Sequence, residues 1–343
     1  MARPSREIHL TARPQGAPKP TDFELVEVDV ADPGEGELLV RNAFVSVDPY
    51  MRGRMNDVRS YVPPFALGEP LTGGAVGQVI ASRNERFAEG SWVVHDHGWR
   101  ELALLDGRGS RLVDPDLAPV STALGVLGMT GLTAFVGVGD IGAVAAGETV
   151  FVSGAAGAVG SVAAQLARTR GARVIGSAGS ADKVAWLEEL GLEAAFDYRE
   201  QATREALREH APDGIDVYFD NVGGETLEAA IGAMRLRGRV VACGSISRYN
   251  DTEARPGPRN LHMVVTKRLR MQGFIISDHG DRYRAFVEEV APRVRDGTIR
   301  YRETIVDGID RAPAAFIGLL EGANTGKMLV RVGPSPGEER VSD

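Results

Sequence analysis

Val150-Phe151-Val152-Ser153-Gly154-Ala155-Ala156-Gly157-Ala158-Val159-Gly160-Ser161-Val162 decides how the chain is read. Its first four residues carry the β-branched and aromatic side chains of a buried parallel strand. A turn of small residues follows. Val159, Val162, Ala163 and Leu166 then recur at i, i+3, i+4 and i+7, the stripe of a helix lying on a sheet. Strand, glycine turn and helix form the context in which a glycine motif binds phosphate at a helix start. Gly157 lets a phosphate approach the backbone, and Gly160 lets helix and strand close up. The G-x-G-x-x-G spacing is not met, because Ala155 stands at the first glycine position and Gly154 sits one place early. An ordinary strand-to-helix turn without a ligand is the competing reading.

Around this stretch the pattern is organised in blocks. Residues 8–105 read as short strands separated by Gly, Pro and Asn turns, among them 23–28, 37–47, 75–80 and 91–94. Such a run without helices predicts an irregular sandwich or partial barrel. Residues 120–135 are small and apolar and predict a helix pair. Beyond the glycine turn, strands at 173–176, 194–198, 215–220, 238–244 and 269–275 alternate with helices at 182–190, 201–210, 226–234 and 281–294. Ser180 and Gly191 punctuate the first of these helices. This alternation predicts a doubly wound parallel sheet, an α/β fold. Residues 301–306, 312–320 and 327–332 need no further crossover and are expected to return to the first domain. The tail, 333–343, is expected to be loose. The expected boundaries are 1–123, 124–297 and a return segment 298–343.

The 343 residues suffice for two cored domains. A net charge of −8 argues against nucleic acid as the partner. No run of about 18 apolar residues predicts a membrane span, and no apolar stretch after the first residues suggests a secretory signal. Cys243 is the single cysteine, which excludes an intrachain disulfide and suits a reducing cytoplasm. His95 and His97 have no cysteine or carboxylate cluster to complete a zinc site, and a polar turn after Val94 is the expected setting.

The second strand of the alternating block ends in Gly176-Ser177-Ala178-Gly179-Ser180, without the acid that would hold a ribose 2′-hydroxyl. Lys183 on the next helix turn offers a cation to a 2′-phosphate. NADP(H) is therefore expected over NAD(H), with a solvated surface lysine as the competing reading of Lys183.

Several motifs together carry a resemblance: Val47-Asp48-Pro49-Tyr50-Met51-Arg52, Gly128-Met129-Thr130-Gly131-Leu132-Thr133-Ala134, Ala155-Ala156-Gly157-Ala158-Val159-Gly160, Phe219-Asp220-Asn221-Val222-Gly223-Gly224, Cys243-Gly244-Ser245-Ile246-Ser247-Arg248-Tyr249-Asn250 and Asn324-Thr325-Gly326-Lys327. From Val45 to Val332 the chain resembles the medium-chain dehydrogenase/reductase superfamily. Within it the chain is similar to the zinc-free NADP-dependent double-bond reductases, the group of prostaglandin reductase, plant alkenal reductases and bacterial curcumin reductase-like enzymes.

The resemblance implies a Rossmann sheet plus a β-rich GroES-like domain. It implies pyrophosphate binding by Gly157, Ala158, Val159 and Gly160, and 2′-phosphate binding by Lys183 and Tyr198. It implies cofactor contacts from Thr130, Asn221, the segment Cys243, Gly244, Ser245, Ile246, Ser247 to Tyr249, then Phe274, Ile275, Ile276 and Asn324. The sequence departs from many relatives at Asp197 and Arg199, where Asn and Lys are common, and at Ser245. The expected reaction is hydride transfer from NADPH to the β-carbon of an α,β-unsaturated aldehyde or ketone, with no metal. Tyr249 is the expected donor to the carbonyl oxygen, and Tyr50 a second catalytic candidate. The competing readings are a pure cofactor contact for Tyr249 and a packing residue for Tyr50. A homodimer through the sheet edge near 271–276 is implied. A quinone reductase of the same superfamily and a silent NADPH-binding protein remain alternatives.

Overall fold

The computed structural model describes residues 2–337. The first block holds seven strands: β1 (Arg3–Leu10), β2 (Phe23–Val30), β3 (Leu38–Ser46), β4 (Ala75–Ser82), β5 (Trp92–His95), β6 (Leu102–Leu105) and β7 (Arg111–Val113). A short helix, α1 (Tyr50–Arg54), follows β3. The expected helix pair at 120–135 is instead a 3₁₀ turn (Val120–Leu124) and one helix, α2 (Met129–Val136), which runs on into a π-helical turn (Gly137–Ile141). Gly125 and Gly128 lie between the turn and the helix, where glycine disfavours continuous helix.

The alternating block follows: β8 (Thr149–Val152), α3 (Ala158–Thr169), β9 (Arg173–Ala178), α4 (Ala181–Glu189), β10 (Ala194–Asp197), α5 (Thr203–His210), β11 (Ile215–Asp220), α6 (Gly224–Ala233), β12 (Met234–Ala242), α7 (His262–Thr266), β13 (Arg270–Gly273) and α8 (Tyr283–Arg295). The chain ends with β14 (Glu303–Asp307), α9 (Ala312–Leu320) and β15 (Lys327–Arg331). Two expected strands run differently. β12 stops at Ala242, so Cys243 and Gly244 lie past its end, and β13 stops at Gly273, so Phe274 and Ile275 do too. Of the tail expected to be loose, residues 338–343 lie outside the described residues.

Two compact units emerge. One comprises residues 1–125, 303–324 and 328–343, and the other residues 126–302 and 325–327. In the second unit six strands form one sheet in the order β10-β9-β8-β11-β12-β13, and every recorded pair is parallel. All four residues of β8 are buried, as a central parallel strand requires. Tyr218 stacks on Phe151 with ring centroids 5.1 Å apart, and Phe151 stacks on Phe196 at 6.0 Å. The order reverses between β8 and β11, so their carboxyl ends diverge and leave a crevice there. Among the described residues no helix is long and apolar enough to cross a membrane.

The first unit holds a seven-stranded sheet, β14-β15-β3-β4-β5-β7 with β6 on β3, and a separate β1–β2 hairpin. Apolar residues fill it: Leu38, Val40, Val79 and Val93 belong to one cluster, and Phe44, Val76, Trp92 and Leu329 to another.

His95 is not in a polar turn. It is the last residue of β5 and only 3% exposed. Its Nδ1 accepts the His97 N–H at 3.1 Å, so the ring proton sits on Nε2 and donates to Asn42 Oδ1 at 2.9 Å. Asn42 in turn donates to the carbonyls of Arg100 and His97. A second ring proton would displace the His97 bond. Burial, reinforced by His97 and Arg100, pushes the His95 pKa down to about 3. The unfolded ring titrates near its usual 6.5. Below that value the unfolded chain therefore binds one more proton than the native chain. The contribution to stability is full above pH 6.5 and is lost as pH falls toward about 3, at up to about 1.4 kcal/mol per pH unit. Denaturant unfolding at pH 7, 6, 5 and 4 is expected to show this slope. His95→Gln, which cannot titrate, should flatten it by one proton, and an unchanged slope would exonerate His95.

Candidate cofactor site

The glycine turn lies at the carboxyl end of β8. Gly154 takes φ +57°, which turns the chain out of the strand. Gly157 is the N-cap of α3, and its N–H donates to Gly154 O at 3.0 Å. A Cβ on Gly160 would lie 2.3 Å from Gly154 O and 2.8 Å from Ala155 Cα, so only glycine lets α3 sit this close to the turn. The first N–H groups of α3 have no intrahelical acceptor and face outward with the positive end of the dipole. Residues 325–327 cross the turn, where the Gly326 N–H donates to Ala156 O at 2.8 Å. Gly326 has φ +69°, and a Cβ there would meet Arg302 O at 1.8 Å.

β9 ends at Ala178 with no acid. The Ser180 hydroxyl accepts the Lys183 N–H at 3.4 Å and caps α4. Tyr198 follows β10, and its hydroxyl lies 2.8 Å from where a Gly179 Cβ would stand, so the phenol lies across that glycine. The Arg199 guanidinium is 6.0 Å from the Tyr198 ring centroid. Lys183 has its pKa lowered by burial first and by the Arg199 charge second, with Asp197 opposing. Lys183, Tyr198 and Arg199 thus gather at one corner. Arg199 was noticed in the sequence only as a departure from relatives, and its place beside Lys183 emerges from the fold.

Asn221 follows β11. Its N–H donates to Ser153 Oγ at 3.1 Å and its amide to Ser153 O at 2.8 Å, across the point where strand order reverses. Beyond β12, the Cys243 and Gly244 N–H groups both donate to Asp220 O at 2.9 Å. The Ile246 N–H reaches Asn221 O, and the Ser247 N–H and hydroxyl reach Val222 O. Tyr249 closes this loop, and its hydroxyl accepts the Ser245 N–H at 3.4 Å. Burial raises the Tyr249 pKa, so the phenol is neutral and can donate. Burial and the nearby Asp220 push the Cys243 thiol up to about 12, which leaves it unreactive. Phe274 and Ile275 follow β13, and Ile276 opens a 3₁₀ turn. The Phe274 ring lies 3.2 Å from where a Gly137 Cβ would stand. Thr130 is buried in the first turn of α2. Asn324, 9% exposed, belongs to the β-rich unit. The carboxyl ends of β8 to β13 thus carry nearly the whole expected set on one edge, where ligands of open α/β sheets bind.

Two family models match, one described as the N-terminal domain of oxidoreductase over residues 6–113 and one as zinc-binding dehydrogenase over 158–291. An NADPH-dependent curcumin reductase of Escherichia coli is 43% identical over 96% of this chain and 97% of its own. An NADP⁺-dependent 2-alkenal reductase of Nicotiana tabacum is 40% identical over 96% and 97%. The crystal structure of CurA from Vibrio vulnificus in complex with NADPH superposes with TM-score 0.91 at 41% identity, covering 96% of this chain and 99% of that one. This chain belongs to the NADP-dependent double-bond reductases of the medium-chain dehydrogenase/reductase superfamily.

A quinone oxidoreductase of Escherichia coli shares the fold of this reductase, at TM-score 0.77 and 22% identity. Among the described residues of the reductase, no group of three or more His, Cys, Asp or Glu side chains could hold a metal ion.

In its β-rich unit the reductase places Tyr50 at the start of α1, packed against a core cluster that includes Met51, Phe65 and Trp99. Burial first and Asp48 second push the Tyr50 pKa up. The Tyr50 hydroxyl would lie 3.7 Å from a Cβ on Gly73. Arg54, one turn on, lays its guanidinium 4.0 Å above the Phe65 ring and donates to the carbonyls of Pro63 and Thr72. Tyr61 stands 60% exposed in the following loop. Neither Arg54 nor Tyr61 carried a sequence signal, because loop side chains have no periodicity to betray their direction.

Proposed function

We propose that this reductase uses NADPH to reduce the carbon–carbon double bond of an α,β-unsaturated aldehyde or ketone, without a metal. The observation that carries the reading is the pairing of a glycine turn after β8 with the Lys183, Tyr198 and Arg199 corner, where β9 ends without an acid and Asp197 ends β10 beside the two cations. The turn fits a pyrophosphate, because the N-cap Gly157 carries no side chain and Gly160 brings the start of α3, with its free N–H groups, down to the turn. Lys183, Tyr198 and Arg199 fit a 2′-phosphate, and the end of β9 lacks the carboxylate that would bind a ribose 2′-hydroxyl there and repel that phosphate. Asn221 and residues 243–249 would run along the nicotinamide half, with Thr130, Phe274, Ile275, Ile276 and Asn324 as further contacts.

When bound, the reduced nicotinamide supplies a hydride to the β-carbon, and negative charge gathers on the carbonyl oxygen. Tyr249 is suited to stabilise that charge, because its phenol is neutral and its oxygen already accepts the Ser245 N–H, which leaves its own proton to donate. Water or Tyr50, also neutral, then protonates the α-carbon. In this reading the six-stranded unit binds the cofactor and the β-rich unit serves the substrate.

The edge strand β13 supports a homodimer. All four of its residues are exposed, and among the described residues it pairs with β12 alone. A second copy could extend the sheet there. A lone cysteine suits the cytoplasm.

Four outcomes test the proposal. NADPH oxidation should proceed with a 2-alkenal or enone in preference to a quinone, and Tyr249→Phe should lower kcat by about 10- to 1,000-fold. Equal turnover in that variant would reduce Tyr249 to a cofactor contact. Lys183→Ala should raise the KM for NADPH by about 10- to 100-fold, the worth of one charge-assisted bond, and leave that for NADH nearly unchanged. A parallel loss with both coenzymes would remove the 2′-phosphate assignment. Light scattering at micromolar protein should give twice the chain mass, and a monomer would refute the edge pairing.

A further inference from the structure

Behind the candidate site lies a polar cluster sealed from water. Ser153 and Tyr218 are fully buried, and Asp220 is 3% exposed. They stand at the carboxyl ends of β8 and β11, the two strands between which the sheet order reverses. The Tyr218 hydroxyl lies 2.7 Å from Asp220 Oδ1 and 3.0 Å from Ser153 Oγ. Its single proton serves the nearer acceptor, Asp220 Oδ1, and the Ser153 hydroxyl has Phe219 O at 3.4 Å as well as the phenol oxygen within reach. Asp220 Oδ1 also accepts the Val222 N–H at 2.9 Å and the Gly223 N–H at 2.7 Å. Ser153 Oγ accepts the Asn221 N–H at 3.1 Å. One hydroxyl and one carboxylate oxygen thus take up three consecutive backbone donors, those of residues 221, 222 and 223.

The three peptide units that carry those N–H groups also carry the carbonyls of residues 220, 221 and 222, the frame on which the Tyr249 loop hangs. Asp220 O holds the Cys243 and Gly244 N–H groups, Asn221 O holds that of Ile246, and Val222 O holds both donors of Ser247. At Gly223, with φ +72°, a Cβ would stand 2.3 Å from Ser245 Oγ, so the loop approaches the frame as closely as backbone allows. A displacement of the frame must therefore carry residues 243–249 with it. An Asx-turn at a helix start can be made by Asn or Ser at a polar surface. Here a carboxyl is buried instead, which is unfavourable unless its partners are well fixed, and burial raises its pKa. The second partner, Tyr218, is a phenol on a central strand where Phe would stack on Phe151 equally well.

We propose that Ser153, Tyr218 and Asp220 are positioning residues that fix the 221–223 frame and, through it, the hydroxyl of Tyr249. The inference rests on the reading of Tyr249 given above. Tyr218 touches neither cofactor nor substrate and acts through the loop alone.

The test is a double-mutant cycle on the full-length protein with Tyr218→Phe and Tyr249→Phe, assayed with NADPH and a 2-alkenal. Melting temperature and the NADPH dissociation constant, read by protein fluorescence, are measured beside kcat and KM. Tyr218→Phe should lower kcat by about 3- to 30-fold and leave NADPH affinity within about threefold. Its effect should shrink to less than twofold in the Tyr249→Phe background, since residues that act as one unit are non-additive. Full multiplicative loss in the double variant overturns the inference, because Tyr218 would then act elsewhere. An unchanged kcat in Tyr218→Phe, with Tyr249→Phe impaired, overturns it too and leaves the role of Tyr249 intact. If Tyr249→Phe itself is unimpaired, the reading of Tyr249 fails first and this inference falls with it. Should Tyr218→Phe fold poorly, Ser153→Ala runs the same cycle with a smaller excision. Asp220→Asn, which keeps an oxygen acceptor, should retain more kcat than Asp220→Leu, and equal losses would overturn the role given to the acceptor.

Discussion

The distance between α3 and the turn after β8 governs the rest of the nucleotide-binding unit. It is set by the missing side chain of Gly160, where even one methyl group would collide with Gly154 O and Ala155 Cα. Eight residues of α3, from Gly160 to Ala167, are buried because the helix can come down this far. Lifting α3 by the width of a methyl group would open a gap along that face, and gaps of this size forfeit a large share of the contact energy. The same approach brings the start of α3 to the carboxyl edge of the sheet, so packing and ligand geometry follow from one residue.

A parallel sheet then does the gathering. Every strand delivers its carboxyl end to one edge, and each end must turn away with its last polar groups satisfied. Here the solution couples neighbouring turns. The β8 turn donates to the end of β9 through Ala155, the β11 turn to the β8 turn through Asn221, and the β12 turn to the end of β11 through Cys243 and Gly244. Residues far apart in the chain are thereby fixed relative to one another by short bonds. A cofactor laid along this edge meets a surface already held in place, and little ordering entropy remains to be lost on binding.

The sequence made the second unit legible because its signals are local. Strand, turn and helix follow within 13 residues, and the strand ends carry most of the candidate residues. The irregular spacing of the glycine motif also has a physical reason. The left-handed residue is Gly154, with φ +57°, so the position that needs glycine comes one place early and Ala155 is tolerated after it. Boundaries were less legible where a strand end and a functional loop are continuous apolar text, as at Ala242-Cys243 and Gly273-Phe274. The first unit was legible only as β. His95 read as a turn residue because its partner, Asn42, lies 53 positions away on β3, and no window of sequence joins them.

Two kinds of buried polar residue stand apart in this chain. His95 and Asn42 form a closed neutral pair whose every bond is to its own unit's strands and turns, so they define where the chain turns at 95–100 and nothing beyond it. Tyr218 and Asp220 are equally hidden, yet the backbone they hold leads outward to the loop that ends at Tyr249. The cost of desolvating this carboxyl, whose pKa burial raises, is offset in part in this second case by three donors at 2.7–2.9 Å on one oxygen. An acid kept at that cost on the sheet's carboxyl edge, one residue before Asn221, is better explained by the position of what it holds than by the stability it adds.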